Sequence, residues 1–370
     1  MKISHRIKSE GYQIPEFLEK EHFPSLDGLR GIAVLFVISS HFGLNYFLRY
    51  IHFRFDGRFG VDIFFVLSGF LITTGLMKQK LKTGRFDLFH FYIKRALRIL
   101  PLVYLFLIIL FLVGIFWKPI ASETDYLYSF LFLKNLPVSS HPSTAHFWTL
   151  ACEWQFYLVF PALLFWLRED WYFTLSLFII ILPALLCILD YYVDLKVLSP
   201  PLYFLMKLVK YTFYRGPIIL LFGSVTSLLC FKVSIGPVFF RRRYFFSFFL
   251  FIAALLLYIK DLPFYHLLVS QYISSILIAL VILASFNSEN FFSKILCSKV
   301  LVKTGILSYS IYIWQQLFIG GYFWFPGLER LNTLPFAVIM MVKFIIIIPL
   351  AYLSYHLCEK QFLKLKHKFR

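Results

Sequence analysis

The sequence predicts an all-α polytopic membrane protein of about ten transmembrane helices with both termini in the cytoplasm. Three observations carry that prediction. First, the 370 residues are 60% hydrophobic and 21% aromatic but only 15% charged, with a mean hydropathy of +0.75. Soluble domains carry about 25% charged residues, so a water-soluble globule of this composition has too little polar surface to cover itself. Second, apolar runs long enough to span a bilayer, which takes about 20 residues, recur along the chain. Third, Lys and Arg are distributed unevenly between alternate loops.

Taken in order, the chain opens with residues 1–24, which mix both charge signs and contain no apolar core of a cleaved signal. They are expected to form a cytoplasmic tail, with residues 25–370 forming a single membrane domain and no appended soluble domain. The runs lie near 28–47, 60–77, 99–117, 147–167, 172–190, 216–231, 244–259, 266–285, 303–323 and 334–357. With the amino terminus inside, the inner segments hold 24 Lys and Arg and the outer ones 11, leaving Arg30 and Lys343 within spans. That bias satisfies the positive-inside rule and places both termini in the cytoplasm.

The net charge of +18 does not indicate a nucleic-acid binder, because the basic residues punctuate apolar runs instead of gathering on a soluble face. Cys152, Cys187, Cys230, Cys297 and Cys358 show no spacing suited to a metal, so neither a zinc site nor a disulfide framework is expected.

The first run, SLDGLRGIAVLFVISSHF, sets Arg30 and His41 at its two ends. Eleven helical positions bring His41 to within roughly 20° of the face of Arg30 and about 16 Å deeper. Ionisable groups inside hydrocarbon are costly and mark function, against the plainer reading of a headgroup anchor and a packed histidine. In the second run Asp62 enters from the outer side at the depth of His41. A carboxylate there would fix the imidazole tautomer and make the other ring nitrogen a better base; the plainer alternative pairs Asp62 with Arg58. Ser68 and Gly69 read as a close helix contact. Arg95 and Arg98 lie one turn apart at the inner mouth of the third run, level with Arg30, and three guanidiniums at one depth suit phosphate. Positive-inside anchoring is the alternative. Glu153, about two turns into the fourth run and level with His41 and Asp62, has no basic neighbour on its own helix and must either be protonated or meet a partner from another. His146 and Trp148 fall at the outer interface, where an aromatic belt is the default reading.

These segments, R-G-x-A with a histidine eleven residues after the arginine, GVDIFFVLSGFLIT, KRALRILP and H-x-W-T-L-A-x-E-x-Q-F-Y, resemble in the same order the acyltransferase-3 family of integral membrane acyltransferases. The resemblance implies transfer of an acyl group, commonly acetyl, from cytoplasmic acyl-CoA to a hydroxyl of a cell-surface saccharide or glycolipid. It implies His41 as general base, Arg30, Arg95 and Arg98 toward acyl-CoA, and Glu153 as a buried acid; the supporting role of Asp62 is extended to it on geometric grounds. Acetyl-CoA would be a donor substrate, with no cofactor or metal held, no nucleic-acid partner, and residence in a bacterial inner membrane. Within GILSYSIYIWQQLF, which is similar to the family's S-Y-x-x-Y-L-x-H, Tyr309, Tyr312 and Gln315 join Trp148 as candidate acceptor contacts. Gln315 stands where a histidine is common, and in HLCEKQF Gln361 stands where the family has proline. A glutamine hydrogen-bonds a sugar hydroxyl but shuttles no proton.

The outer loops 118–146 and 190–215 are the expected selectors of the acceptor. Serines such as Ser68 and Ser308 leave an acyl-enzyme relay open beside direct attack. Two other classes remain compatible with buried charge in ten spans: a transporter or flippase of an anionic or glycan-lipid substrate, and an acyltransferase-like protein without activity.

Overall fold

The structure is a computed structural model and describes residues 11–116, 120–136, 141–192, 199–209, 216–233, 244–263, 267–319 and 329–366. The described residues are helical, with no strand among them beyond one isolated bridge between Phe55 and Ile259. The main helices are α1 (Pro24–His41), α2 (Arg58–Thr83), α3 (Leu88–Phe116), α4 (Glu123–Phe130), α5 (Phe147–Trp166), α6 (Glu169–Tyr192) and α7 (Pro200–Val209). They continue as α8 (Pro217–Val233), α9 (Phe246–Leu256), α10 (Leu267–Ser285), α11 (Phe291–Leu296), α12 (Lys299–Trp314), α13 (Phe336–Ser354) and α14 (Lys360–Leu365).

Each of the ten apolar runs is occupied by a helix. By length and composition, four segments are able to cross a membrane: Arg58–Thr83, Leu88–Phe116, Glu169–Leu186 and Phe336–Leu365. A fifth results if α1 and the segment Asn45–Ile51, bent by 73° to each other, count as one span. Pro217–Val233, Phe246–Leu256 and Val269–Ser285 are apolar but shorter. Parts of the expected acceptor-selecting loops, at 118–119, 137–140, 193–198 and 210–215, lie outside the described residues, as do 1–10 of the expected tail.

Local chemistry explains several ends. Pro24 opens α1, where its missing N–H costs nothing. Ser122 and Asp125 form a reciprocal capping box at α4, and Gly84 ends α2 in the left-handed region at φ 73°.

The centre of the molecule is the row α12, α1, α2, α8, each packed on the next. Glycine makes the closest of these crossings. A Cβ at Gly69 would collide with the Leu220 carbonyl, and one at Gly223 with the Val66 carbonyl, so α2 and α8 meet backbone to backbone. The packing expected of Gly69 is therefore observed. Residues 11–23 of the expected tail fold onto this body: Tyr12 donates to Asp170 at 3.0 Å and Leu18 is fully buried. Helices α3 and α5 lie against α12 and α2 respectively, and the space enclosed by α1, α2, α3, α5 and α12 holds the candidate site.

Candidate active site

Two adjoining cavities occupy that space. The inner one, about 90 Å³, is lined by Arg30 of α1, Ser68 of α2, Arg95 and Arg98 of α3, Glu153 and Tyr157 of α5, and Ser308, Tyr309 and Tyr312 of α12. The outer one, about 280 Å³, is lined by Ser40 and His41 of α1, Asp56, Arg58, Val61, His146, Trp148, Tyr312 and Gln316. The three arginines that the sequence set at one depth thus converge on one cavity, together with Glu153.

Most inner-cavity groups are held from another helix, Arg30 from its own. Arg30 meets Asp27 at 3.1 Å, and Asp27 in turn meets His22 at 2.6 Å. Arg95 lies 5.5 Å from the ring centroid of Tyr157, a cation–π contact. Arg98 is 3.4 Å from Glu359, whose other oxygen accepts from Ser310 at 2.9 Å. The partner expected for Glu153 is Ser68, which donates to it at 2.8 Å. Ser68 therefore has a polar role beside the packing of its neighbour. Tyr309 donates to the Ile99 carbonyl at 2.7 Å, tying α12 to α3.

Nothing in the sequence singles out Glu359 as a partner of Arg98. It sits in a π-helical turn, Tyr355–Glu359, directly after α13. The extra residue per turn rotates the succeeding side chains about the helix axis and turns Glu359 inward, where it is 1% exposed. The helix runs on through Gln361, which donates to the His356 carbonyl at 2.9 Å, where a proline would interrupt it. Just beyond, Lys366 is pushed down to about 7 by burial and by the adjacent charges of Arg98 and Arg95. The inner mouth is thus a concentrated positive field.

The surroundings of His41 differ from the expected arrangement. Its Nδ1 lies 2.7 Å from Gln315 Oε1. An amide oxygen only accepts, so Nδ1 carries the proton and Nε2 has a free lone pair. A chain of amides holds Gln315 in that orientation: its Nε2 donates to Gln316 Oε1 at 3.4 Å, and Gln316 Nε2 donates to the Pro142 carbonyl. Asp62 does not meet His41, and it does not pair with Arg58. It is 1% exposed and accepts from Tyr258, with Gln271 beside it. The reason is azimuthal: Val61, Phe64, Phe65 and Ser68 form the cavity-facing stripe of α2, and Asp62 is turned about 100° from Val61.

Asp56 is the carboxylate that shares the outer cavity with His41. It is fixed by backbone pairing across the outer rim, where Asp56 N–H donates to the Tyr258 carbonyl at 2.9 Å and Lys260 N–H to the Arg54 carbonyl at 2.7 Å. Arg54 and Asp261 seal this rim at 2.6 Å. His146 is 2% exposed, packed on Phe106, Phe147 and Tyr312, and among the described residues neither ring nitrogen has a hydrogen-bond partner. It is a wall of the cavity and not an interfacial belt residue, whereas Trp148 lines the outer cavity and packs edge-on to Phe65. Outside the spans, Asp125 of α4 organises a polar knot. Burial opposes its charge, but Lys134, Ser122 and the backbone N–H groups of His141 and Ser122 hold its carboxyl well below the usual carboxylate range.

The chain is similar in sequence to known proteins. The sequence profile of the acyltransferase-3 family, described as an acyltransferase domain, matches residues 23–356. A peptidoglycan O-acetyltransferase, OatA, of Listeria monocytogenes is 35% identical over 159 residues, which is 39% of this chain and 24% of the relative. A putative O-acetyltransferase of Staphylococcus aureus strain COL is 32% identical over 179 residues, 42% of this chain and 27% of the relative. The O-acetyltransferase OatA of Staphylococcus aureus strain NCTC 8325 is 30% identical over 162 residues, 40% and 26% of the two chains. The matched stretch thus spans about a quarter of the length of these curated relatives. No solved structure matches.

Proposed function

The chain belongs to the acyltransferase-3 family, a family of multi-pass membrane proteins, and on that premise we propose that it is a membrane O-acetyltransferase acting on a surface saccharide. In this reading ten helices span the inner membrane of a bacterium, both termini face the cytoplasm, and the donor is cytoplasmic acetyl-CoA. The phosphates of coenzyme A, too costly to bring into hydrocarbon, stay at the inner mouth with Arg30, Arg95, Arg98 and Lys366. The pantetheine arm reaches up past Glu153, the buried carboxylate that offsets part of the guanidinium charge. The acceptor hydroxyl enters the outer cavity beside His41, with Trp148, His146 and Tyr312 as walls.

His41 Nε2 takes the hydroxyl proton as the oxygen attacks the thioester carbonyl. The new oxygen–carbon bond forms, the carbon–sulfur bond breaks with its electron pair on sulfur, and the imidazolium returns the proton to the thiolate. Gln315 keeps the imidazole in the tautomer that has Nε2 free. The single observation that supports this reading is the His41–Gln315 hydrogen bond on the wall of a cavity that adjoins an arginine-lined one. It also gives the glutamine a role in an active site, since a fixed acceptor at Nδ1 is what a neutral general base requires. Among surface glycans, peptidoglycan is favoured as acceptor because the Listeria relative is a peptidoglycan O-acetyltransferase. The test is His41→Ala in inserted, folded protein, with O-acetyl groups on the cell-surface glycans measured by mass spectrometry. Loss of acetylation is expected, and unchanged acetylation ends the proposal.

A further inference from the structure

We propose that Val61 and Tyr312 form a sieve between the two cavities that limits the transferred acyl group to about two carbons. The inference rests on the reading above, in which a donor below and an acceptor above meet across this wall. Among the described residues, Val61 and Tyr312 are the two that line both cavities. They are 7% and 8% exposed. The Tyr312 hydroxyl lies 2.6 Å from Thr149 Oγ1 and 3.2 Å from the His146 carbonyl, so both ends of the ring are anchored. The ring face meets His146 at 5.7 Å between centroids. Val61 is branched at Cβ and stiff about χ1, and its backbone neighbour Gly60 is pressed against the Ala33 carbonyl of α1, so the helix has no room to recoil there.

Arg30, Arg95, Arg98 and Glu153 lie below this wall and His41 above it, where Arg58 is matched by Asp56, so the surplus of positive charge is below. The ionic part of a coenzyme A thioester therefore has no reason to pass, and a saccharide has none to descend. Only the acyl end has to reach across. An acetyl group presents a carbonyl and one methyl to the wall, and each further methylene has to be packed against Val61 or the Tyr312 ring. In an apolar pocket one methylene is worth about 10- to 200-fold in discrimination.

The experiment uses the purified full chain in lipid nanodiscs. Acetyl-, propionyl- and butyryl-CoA are supplied in turn together with soluble peptidoglycan fragments as hydroxyl acceptor, and release of the coenzyme A thiol is followed with a thiol reagent. The wild type is expected to favour acetyl-CoA. Val61→Ala widens the wall and is expected to raise the propionyl-to-acetyl rate ratio by about tenfold or more. Val61→Ile narrows it and is expected to lower that ratio. Tyr312→Phe keeps the ring but frees it, giving a smaller rise than Val61→Ala. A general loss of structure lowers all three rates together and leaves the ratios alone, so the ratio isolates the sieve, and thermal melting checks that each variant is folded. Acetyl-CoA turnover by the wild type with ratios unchanged in both Val61 variants overturns the sieve while leaving the reading above intact. No thiol release from any donor by the wild type overturns both.

Discussion

Replacing Gln315 by leucine removes the acceptor at His41 Nδ1 while keeping the volume of a side chain that is fully buried. The 2.7 Å contact joins two neutral groups, and its loss leaves the Nδ1–H facing the apolar side chain that replaces the buried glutamine. Leaving a buried donor unpaired costs about 1–3 kcal/mol. The imidazole recovers part of that by moving its proton to Nε2, which is the tautomer unable to act as base toward the outer cavity. Since 1.4 kcal/mol is about tenfold, the productive tautomer is expected to fall about tenfold to hundredfold, and kcat with it, while donor KM changes little. The assay is acetate released by mild base from the surface glycans of cells expressing each variant, normalised to the amount of inserted protein. The decisive form is the cycle His41→Ala, Gln315→Leu and the double variant. If Gln315 acts only through His41, the double variant is no worse than His41→Ala. Full activity in Gln315→Leu, or a further loss in the double variant, refutes the reasoning.

Three other outcomes are expected. Asp125 has a depressed folded pKa, so its contribution to stability is fully present above the ordinary carboxylate value and is lost as pH falls through the folded one; the thermal midpoint of the wild type should therefore fall as pH is lowered below about 4. Asp125→Asn should flatten that dependence and, by uncoupling the buried Lys134, cost about 3–5 kcal/mol at neutral pH. In α2, Gly69→Ala should reduce the yield of folded protein, since the added methyl meets the Leu220 carbonyl, whereas Gly75→Ala, exposed and with nothing near its Cβ position, should be neutral or raise the melting temperature. At the inner mouth Lys366, pushed down to about 7, loses its charge as pH rises from 7 toward 9. Acetyl-CoA binding by calorimetry should weaken several-fold over that window in the wild type and stay flat in Lys366→Arg. The unliganded protein should gain stability over the same window, because the unfolded chain holds the proton that the folded one gives up.

The parts of this molecule that are legible in sequence are those that depend on position along a helix axis. Apolar run lengths locate the helices, and counting residues into each run puts Arg30, Arg95 and Arg98 at one level and His41, Asp62 and Glu153 at another, although the structure sets Glu153 in the inner cavity with the arginines. Azimuth is harder to read. Asp62 has the depth of His41 but is turned away from the cavity by one residue's rotation, and its hydroxyl partner, Tyr258, comes from a segment 196 residues later. Gln315 stands out in sequence only as a departure from a familiar pattern, because nothing in one sequence says that its oxygen faces a histidine 274 residues earlier. Glu359 requires a π-helical turn to face Arg98, and a single inserted residue per turn leaves no mark on hydrophobic periodicity. The small residues are partly readable: Gly69 signals a close crossing, while Ser68 beside it hides a polar contact to Glu153.

The same distinction explains why sequence suggests one path where the structure has two cavities. Depth alone strings Arg30 and His41 along a single face of α1, which suggests an open conduit between them. In the structure the conduit is interrupted by Val61 from α2 and Tyr312 from α12, the helices that flank α1 on either side. An uninterrupted polar path through a membrane would also conduct water and protons and discharge any ion gradient. A wall that admits only a small uncharged acyl group avoids this: the thioester carbonyl is the one part of the donor that is both reactive and cheap to place in an apolar gap. On the proposed reading, then, the protein moves the bond-forming atoms a few ångströms and leaves every full charge on the side where it started.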